Sequence, residues 1–426
     1  MQTIVRTNPP LIRPVREVSF KKPELHTLSG GAKLYVTNAG EQDIVRIEAI
    51  FPGGRIYEKQ KGIAGAVGRL MKDGTASQTS AQISETIEQY GAAVKIGADF
   101  DLSTLSIHSM TTHLDKLLPV VKDILNNAIF PQKELDTYIA TTSQKIKIEE
   151  EKNDFIADTG LRASLFGTDH PYGYRTTLEI LDNLNREALV EHYSRCYTNA
   201  QPILFASGKV DETTIAFLEA LFGGSTINAF KAPEFEVKPF TEKLDYRVKA
   251  GSVQSAIRLF QPTIDKDHKD YPGLFVLNTL FGGFFGSRLM SNIREDKGYT
   301  YGIYSGISHC VQASYFYISS EVGIDVCKDA IKEVHFELNE LRNKIASEEE
   351  LDLVRNYMLG MILGSLDGPL KTSDTVRGLV VSELGFDHVE TLVQGILNIT
   401  PEEIKRLANL YLDPANLQEL VVGYPE

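Results

Sequence analysis

Long apolar runs, an excess of basic charge and a cysteine framework are all missing from these 426 residues, and each absence removes a class of protein. No stretch of about 18 or more apolar residues occurs, so no transmembrane helix is expected. The opening MQTIVRTNPPLIRPVREVSF lacks the apolar core of a secretory signal. A cytoplasmic protein is the resulting expectation, or a periplasmic one where a signal peptide has already been removed. The net charge of -13 and pI near 5.3 surround the chain with a negative field that repels phosphate backbones and anionic lipid, so nucleic acid is not an expected partner. Three cysteines, Cys196, Cys310 and Cys327, form no CxxC pair and give neither a disulfide scaffold nor a zinc ribbon.

What remains is an ordinary globular composition, 42% hydrophobic and 24% charged, with 33 Gly and 17 Pro. The length exceeds the roughly 250–300 residues at which single cores stop growing, so at least two domains are expected.

An internal repeat supplies the boundary. VRIEAIFPGGRIYEKQKGIAGAVGRLMKDG, from Val45, has a counterpart from Ser255 in SAIRLFQPTIDKDHKDYPGLFVLNTLFGG. In both a strand runs into Pro (Pro52, Pro262), a charged loop follows, and an apolar helix ends near Gly (Gly74, Gly283). IEQYG (Ile87–Gly91) then matches IREDKG (Ile293–Gly298), each a short helix closing on a Gly C-cap before a strand. Apolar stripes follow in both copies, Leu114, Leu117, Leu118, Val121, Ile124 and Leu125 in one and Val326, Ala330, Val334, Leu338 and Leu341 in the other. Alternation such as Ser103, Leu105 and Ile107 against Leu102, Thr104, Ser106 and His108 predicts half-buried antiparallel strands. The expected fold is therefore α+β, with two homologous domains, each a mainly antiparallel sheet covered by helices. The predicted division is 1–224 for the first domain, 225–243 for an aperiodic linker and 244–426 for the second.

Within the first copy, GIAGAVGRLMKDGT (Gly62–Thr75) places Ile63, Ala66, Val67, Leu70 and Met71 at helical spacing on one buried stripe. This segment resembles the metal-binding helix of the zinc peptidase superfamily around pitrilysin, insulinase and the mitochondrial processing peptidase. Members of that superfamily carry H-x-x-E-H there: two His on one helical face hold Zn²⁺ and the Glu activates the bound water. In this sequence the three positions fall on Gly65, Gly68 and Arg69, none of which can do that work. Glycine has no side chain, and arginine is a permanent cation without a lone pair. The third ligand position falls near Ile146 or Lys147, with Glu149, Glu150 and Glu151 just beyond. No metal is expected in this chain. The nine histidines offer no i, i+4 pair with a carboxylate between them, and the adjacent His309–Cys310 reads as structural. Gly-x-Ser-x-Gly, Walker and G-x-G-x-x-G motifs are absent.

The second copy reads SRLMSNIREDKGYTYGIYSGI, with a Gly-rich turn before it (Gly282, Gly283, Gly286). Arg294 and Tyr301 match the Arg and Tyr, seven apart, with which the superfamily grips a substrate backbone near the scissile bond. Their donors suit a carbonyl or a developing oxyanion. Plainer readings exist: a cation is favoured in any last helical turn, and Tyr301 shares a strand face with Ile303, where a core-edge tyrosine is common.

The resemblance implies a catalytically silent subunit that pairs with a zinc-bearing homologue and lends Arg294 and Tyr301 to its site for peptide hydrolysis. Zinc would belong to the partner, an acidic wall would favour basic peptides, and a homodimer is possible in isolation. The competing expectation is a structural or binding protein without peptidase function, similar to the core subunits of the respiratory bc1 complex.

Overall fold

The computed structural model describes residues 15, 18–224, 232–239 and 241–425. Most of the opening segment read for a signal, and residues 225–231 and 240 of the expected linker, lie outside them. Among the described residues no helix is long and apolar enough to cross a membrane.

Two sheets carry the fold. The first comprises β1 (Glu24–Thr27), β2 (Lys33–Asn38), β3 (Ile44–Phe51), β4 (Ala93–Ala98), β5 (Ser103–Met110) and β6 (Ile203–Gly208), in the spatial order β1-β2-β6-β3-β5-β4. The second comprises β7 (Leu244–Arg247), β8 (Gln254–Pro262), β9 (Thr300–Cys310), β10 (Ala313–Gly323) and β11 (Gln418–Val422), in the order β7-β11-β8-β10-β9. Setting β2 against β7, β3 against β8, and so on makes the two orders identical apart from the extra β1. Among the described residues the only parallel neighbours are β2–β6 in one sheet and β7–β11 in the other, again equivalent pairs. Duplication of one α+β unit is thus written into the topology. On β5 the predicted alternation holds, with Ser103, Leu105 and Ile107 buried and Thr104, Ser106 and His108 half-buried.

Both repeats reach their outer strands through the same device. The helix Ser80–Gln89 closes on Gly91 (φ 59°) before β4, and the π-helical turn Met290–Asp296 closes on Gly298 (φ 68°) before β9. A left-handed residue is the usual way to end a helix, and glycine takes it without steric cost. The helix Leu114–Asn127 buries Leu114, Leu117, Val121, Ile124 and Leu125 as its spacing predicts, with Leu118 of the same stripe only half-buried, and Cys327–Asn343 buries Ala330, Val334, Leu338 and Leu341. Val326 falls in the turn before that helix and is only half-buried.

Each sheet is covered on its remaining face by a helix of the other half. Asn153–Phe166 lies on β8 and β11, and Gly368–Val381 lies on β2 and β6. Consequently Ala256, Phe260, Leu420 and Val422 of the second sheet belong to the same apolar cluster as the core of the first half. Phe205, Ile50 and Val376 likewise form a cluster shared by both halves. Ion pairs mark the two crossings. Glu48 on β3 is buried and receives Arg377 at 2.7 Å, while neighbouring Arg46 pairs with Asp374 at 2.9 Å and donates to the Leu370 carbonyl at 2.7 Å. Aligning Pro52 with Pro262 sets Glu48 against Arg258, and buried Arg258 donates to Asp158 of the other crossing helix at 2.7 Å. Equivalent strand positions therefore hold opposite charges, each matched by its own crossing helix.

Candidate functional site

The helix Ile63–Leu70 forms where the apolar spacing places it, but its N-cap is Gly62 (φ 89°), which offers no capping side chain. Glu58 does the capping from outside the helix: it accepts the Ala64 N–H at 2.7 Å and the Tyr174 hydroxyl at 2.6 Å. Tyr174 in turn accepts the Gly62 N–H at 3.1 Å, and the Arg55 guanidinium lies 4.7 Å from the Tyr174 ring centroid. Burial raises the Glu58 carboxyl above the ordinary range, partly countered by its hydrogen bonds to Tyr174 and Ala64 and by Arg55. Motif spacing gives no sign of this cluster, because its members are scattered over more than a hundred residues of sequence. A cavity of about 740 Å³ opens beside it, lined by Lys61, Glu150, Arg175 and Arg247 among others. Its charges are already matched, Lys61 with Asp169 at 3.1 Å and Arg175 with Glu150 at 2.8 Å.

Zinc does not fit the residues that occupy the motif positions. Gly65 is exposed, and a Cβ there would meet only the Tyr138 hydroxyl, at 3.8 Å. Gly68 is buried against β4, where a Cβ would stand 3.0 Å from the Ala98 nitrogen and 3.2 Å from the Gly97 carbonyl carbon. Arg69 points outward and pairs with Asp73 at 3.0 Å. At the expected third position Ile146 is buried in the core. Just beyond it, Glu149 pairs with Lys152 at 3.1 Å and Glu150 with Arg175. Among the described residues no group of three His, Cys, Asp or Glu side chains could hold a metal ion. His309 and Cys310 are half-buried at the end of β9, where Cys310 packs against the core of the first half. His309 contacts Ser314 Oγ at 2.6 Å and the Tyr271 hydroxyl at 3.1 Å, and burial pushes it down to about 4 and Cys310 up to about 12.

Arg294 and Tyr301 are placed quite differently. The Gly-rich turn comes down on β9, so close that a Cβ on Gly282 would be 2.6 Å from the Ser305 nitrogen. That contact seats the following turn, Met290–Asp296, beside β9, with the Met290 sulfur 3.4 Å from the Ile303 nitrogen. Arg294 leaves this turn with its guanidinium 4.6 Å from the Phe285 ring centroid, and Phe285 is itself 59% exposed.

Tyr301 does not share a face with Ile303, contrary to the alternation expected from sequence. Ile303 pairs with Ser320 and Thr300 with Val322, so Tyr301 and Gly302 stand opposite the single residue Glu321. The extra residue is a β-bulge, which shifts the phase of the strand by one position. Tyr301 emerges 92% exposed, two residues from Ile303 at 2%. Among the described residues neither Arg294 nor Tyr301 makes a hydrogen bond or ion pair through its side chain. Gly65, Gly68 and Arg69 lie on the first half of the chain, whereas Tyr301 stands on the outer strand of the second sheet and Arg294 on the turn beside it.

Two family models match in tandem: residues 35–169 match insulinase (peptidase family M16) and residues 183–358 match the peptidase M16 inactive domain. The chain belongs to the M16 peptidase family. The first match spans the altered helix and the second spans Arg294 and Tyr301. A relative described as an uncharacterized zinc protease of Bacillus subtilis is 23% identical over 393 residues, covering 90% of this chain and 94% of its own length. The crystal structure of a peptidase M16 inactive domain from Pseudomonas fluorescens superposes with a TM-score of 0.84 at 21% identity, over 95% of this chain and 98% of that one. A chain of Complex III2 from Candida albicans has the same fold, with a TM-score of 0.72 at 14% identity over 94% of this chain and 95% of its own. The two-domain fold is thus shared with solved chains described as an inactive domain and as part of a larger complex.

Proposed function

We propose that this chain is a catalytically silent M16 subunit that pairs with a zinc-bearing homologue and lends it Arg294 and Tyr301 for peptide hydrolysis. One observation carries the reading: among the described residues neither polar tip has a hydrogen-bond or ion-pair partner, the Arg294 guanidinium lying only against the exposed Phe285 ring, and a break in regular strand pairing turns Tyr301 to solvent. A tyrosine serving only the core edge would not need that bulge. The altered helix supports the same division of labour, since β4 occupies the space that a side chain on Gly68 would take.

The chemistry left to this chain is hydrogen-bond donation. A guanidinium and a phenol set on rigid secondary structure suit a substrate carbonyl or the negative charge that develops on its oxygen. Metal and activated water belong to the partner. The experiment is hydrolysis of an unstructured fluorogenic peptide with Zn²⁺, by this chain, by a homologue containing H-x-x-E-H, and by the two mixed. Activity found only in the mixture supports the reading; a homologue that works unaided and gains nothing on mixing contradicts it for that pair.

A structural or binding protein without peptidase function is the second reading, favoured by the likeness to a chain of Complex III2. It predicts stable association with other chains that is insensitive to changes at Arg294 and Tyr301.

A further inference from the structure

A bulge removes backbone groups from the ladder, and those groups need partners or the strand slips back into register. In the β9–β10 bulge two hydroxyls meet that need. Thr300 Oγ1 lies 2.6 Å from the Glu321 carbonyl and 2.9 Å from the Gly302 carbonyl, either of which can take its proton. The same oxygen accepts the Gly302 N–H at 3.1 Å and lies 3.1 Å from the Ser320 hydroxyl. Ser320 Oγ also lies 3.0 Å from the Gly302 carbonyl. Gly302 is therefore held through both its N–H and its C=O, and Thr300 is tied to the facing strand. These two residues flank Tyr301, and the bond to the Gly302 N–H fixes the peptide plane that follows it.

We propose that Thr300, backed by Ser320, is the positioning residue that aims Tyr301 at substrate, an inference that rests on the role proposed above for Tyr301. Valine has the shape and strand propensity of threonine but no hydroxyl. A regular strand would be served equally well by either residue. The bulge requires the oxygen, because there the hydroxyl meets the Gly302 N–H and the Gly302 and Glu321 carbonyls at once. Gly302 suits the same purpose, since nothing lies within 4 Å of the position its Cβ would take and no side chain there competes with Tyr301 for direction.

The chain contains no tryptophan, so Tyr301→Trp introduces a unique fluorophore at the aimed position. In the otherwise natural chain its emission should be that of water-exposed indole and should be readily quenched by iodide. Adding Thr300→Val should shift the emission to shorter wavelength and cut quenching several-fold, and Thr300→Ser should leave both unchanged. In the mixture with a zinc-bearing homologue, Thr300→Val alone should lower kcat by roughly ten- to a hundred-fold with association unchanged, as expected when a reacting group is misplaced by about 1 Å. Thr300→Ser should restore it. Ser320→Ala serves as the second variant should Thr300→Val fail to fold, with the same shifts in smaller measure. The inference is overturned if the reporter stays exposed and quenchable without the hydroxyl, or if kcat holds in Thr300→Val while Tyr301→Phe loses it. Should Tyr301→Phe itself cost nothing in the mixture, the proposed function fails, and the reporter still shows whether Thr300 sets the direction of residue 301.

Discussion

Gly65 and Gly68 occupy the same helix three residues apart, yet the space around them differs, and substitution should tell them apart. Alanine in a helix interior is worth up to about 1 kcal/mol over glycine. Gly65→Ala should gain most of this, since only the Tyr138 hydroxyl lies near. Gly68→Ala should gain nothing or lose stability, because its methyl would press on the backbone of β4, which has little freedom to yield. Urea midpoints of the two variants measure the contrast. The structure assigns close packing to Gly68 alone, and nothing in the local pattern distinguishes the two, because the neighbour that decides it is about thirty residues away.

His192 supplies a pH test at the same scale. It is buried, with Nε2 3.2 Å from the Gly53 carbonyl, and burial pushes it down to about 4. The unfolded chain titrates this group near 6.5, so between these values the unfolded state binds a proton that the native state does not. Its contribution is complete above about pH 6.5, is lost as pH falls toward 4, and amounts to roughly 3 kcal/mol at most. The comparison is stability at pH 7 and pH 4.5 for the natural chain and for His192→Gln, whose amide can still reach Gly53. The variant should show the shallower decline.

Elements are where the sequence was most legible. Repetition fixed the strand and helix order twice over, and glycine punctuation at Gly91 and Gly298 marked both outer strands. The bulge was not legible, because period-two alternation has no term for an inserted residue and TYGIYS is consistent with a regular strand. Nor was it possible to see that Asn153–Phe166 and Gly368–Val381 cross to the opposite sheets: an apolar face states that it will be buried, not against what. The crossings make a prediction. Arg377→Met removes the closest partner of buried Glu48 and leaves it with Arg46, at 3.3 Å. Breaking a buried pair on one side costs about 3–5 kcal/mol at the upper end, less here because Arg377 is partly exposed. A loss of about 1–3 kcal/mol in chemical denaturation is expected. Adding Glu48→Gln should recover part of it, since the uncompensated charge is then gone.

For the whole molecule, the exchanged helices mean that neither half closes its own core. A chain nicked by protease within 225–243 should stay together on size exclusion under native conditions, and its halves should unfold in one transition. Halves that separate, or melt independently, would show that the crossings contribute little. The same unity bears on function: Arg294 and Tyr301 stand on a frame stiffened by both halves, so any substrate must come to them as they are placed.

The most direct measurement is kcat of the mixture, at saturating zinc-bearing partner, for the natural chain against Arg294→Ala and Tyr301→Phe, with association of each pair followed in parallel. Loss of a preorganised donor typically costs about 10²- to 10³-fold in kcat. The account predicts a loss of that order for each variant, with complexes forming as tightly as before. Unchanged turnover in both, or a loss that merely follows weaker association, would contradict it.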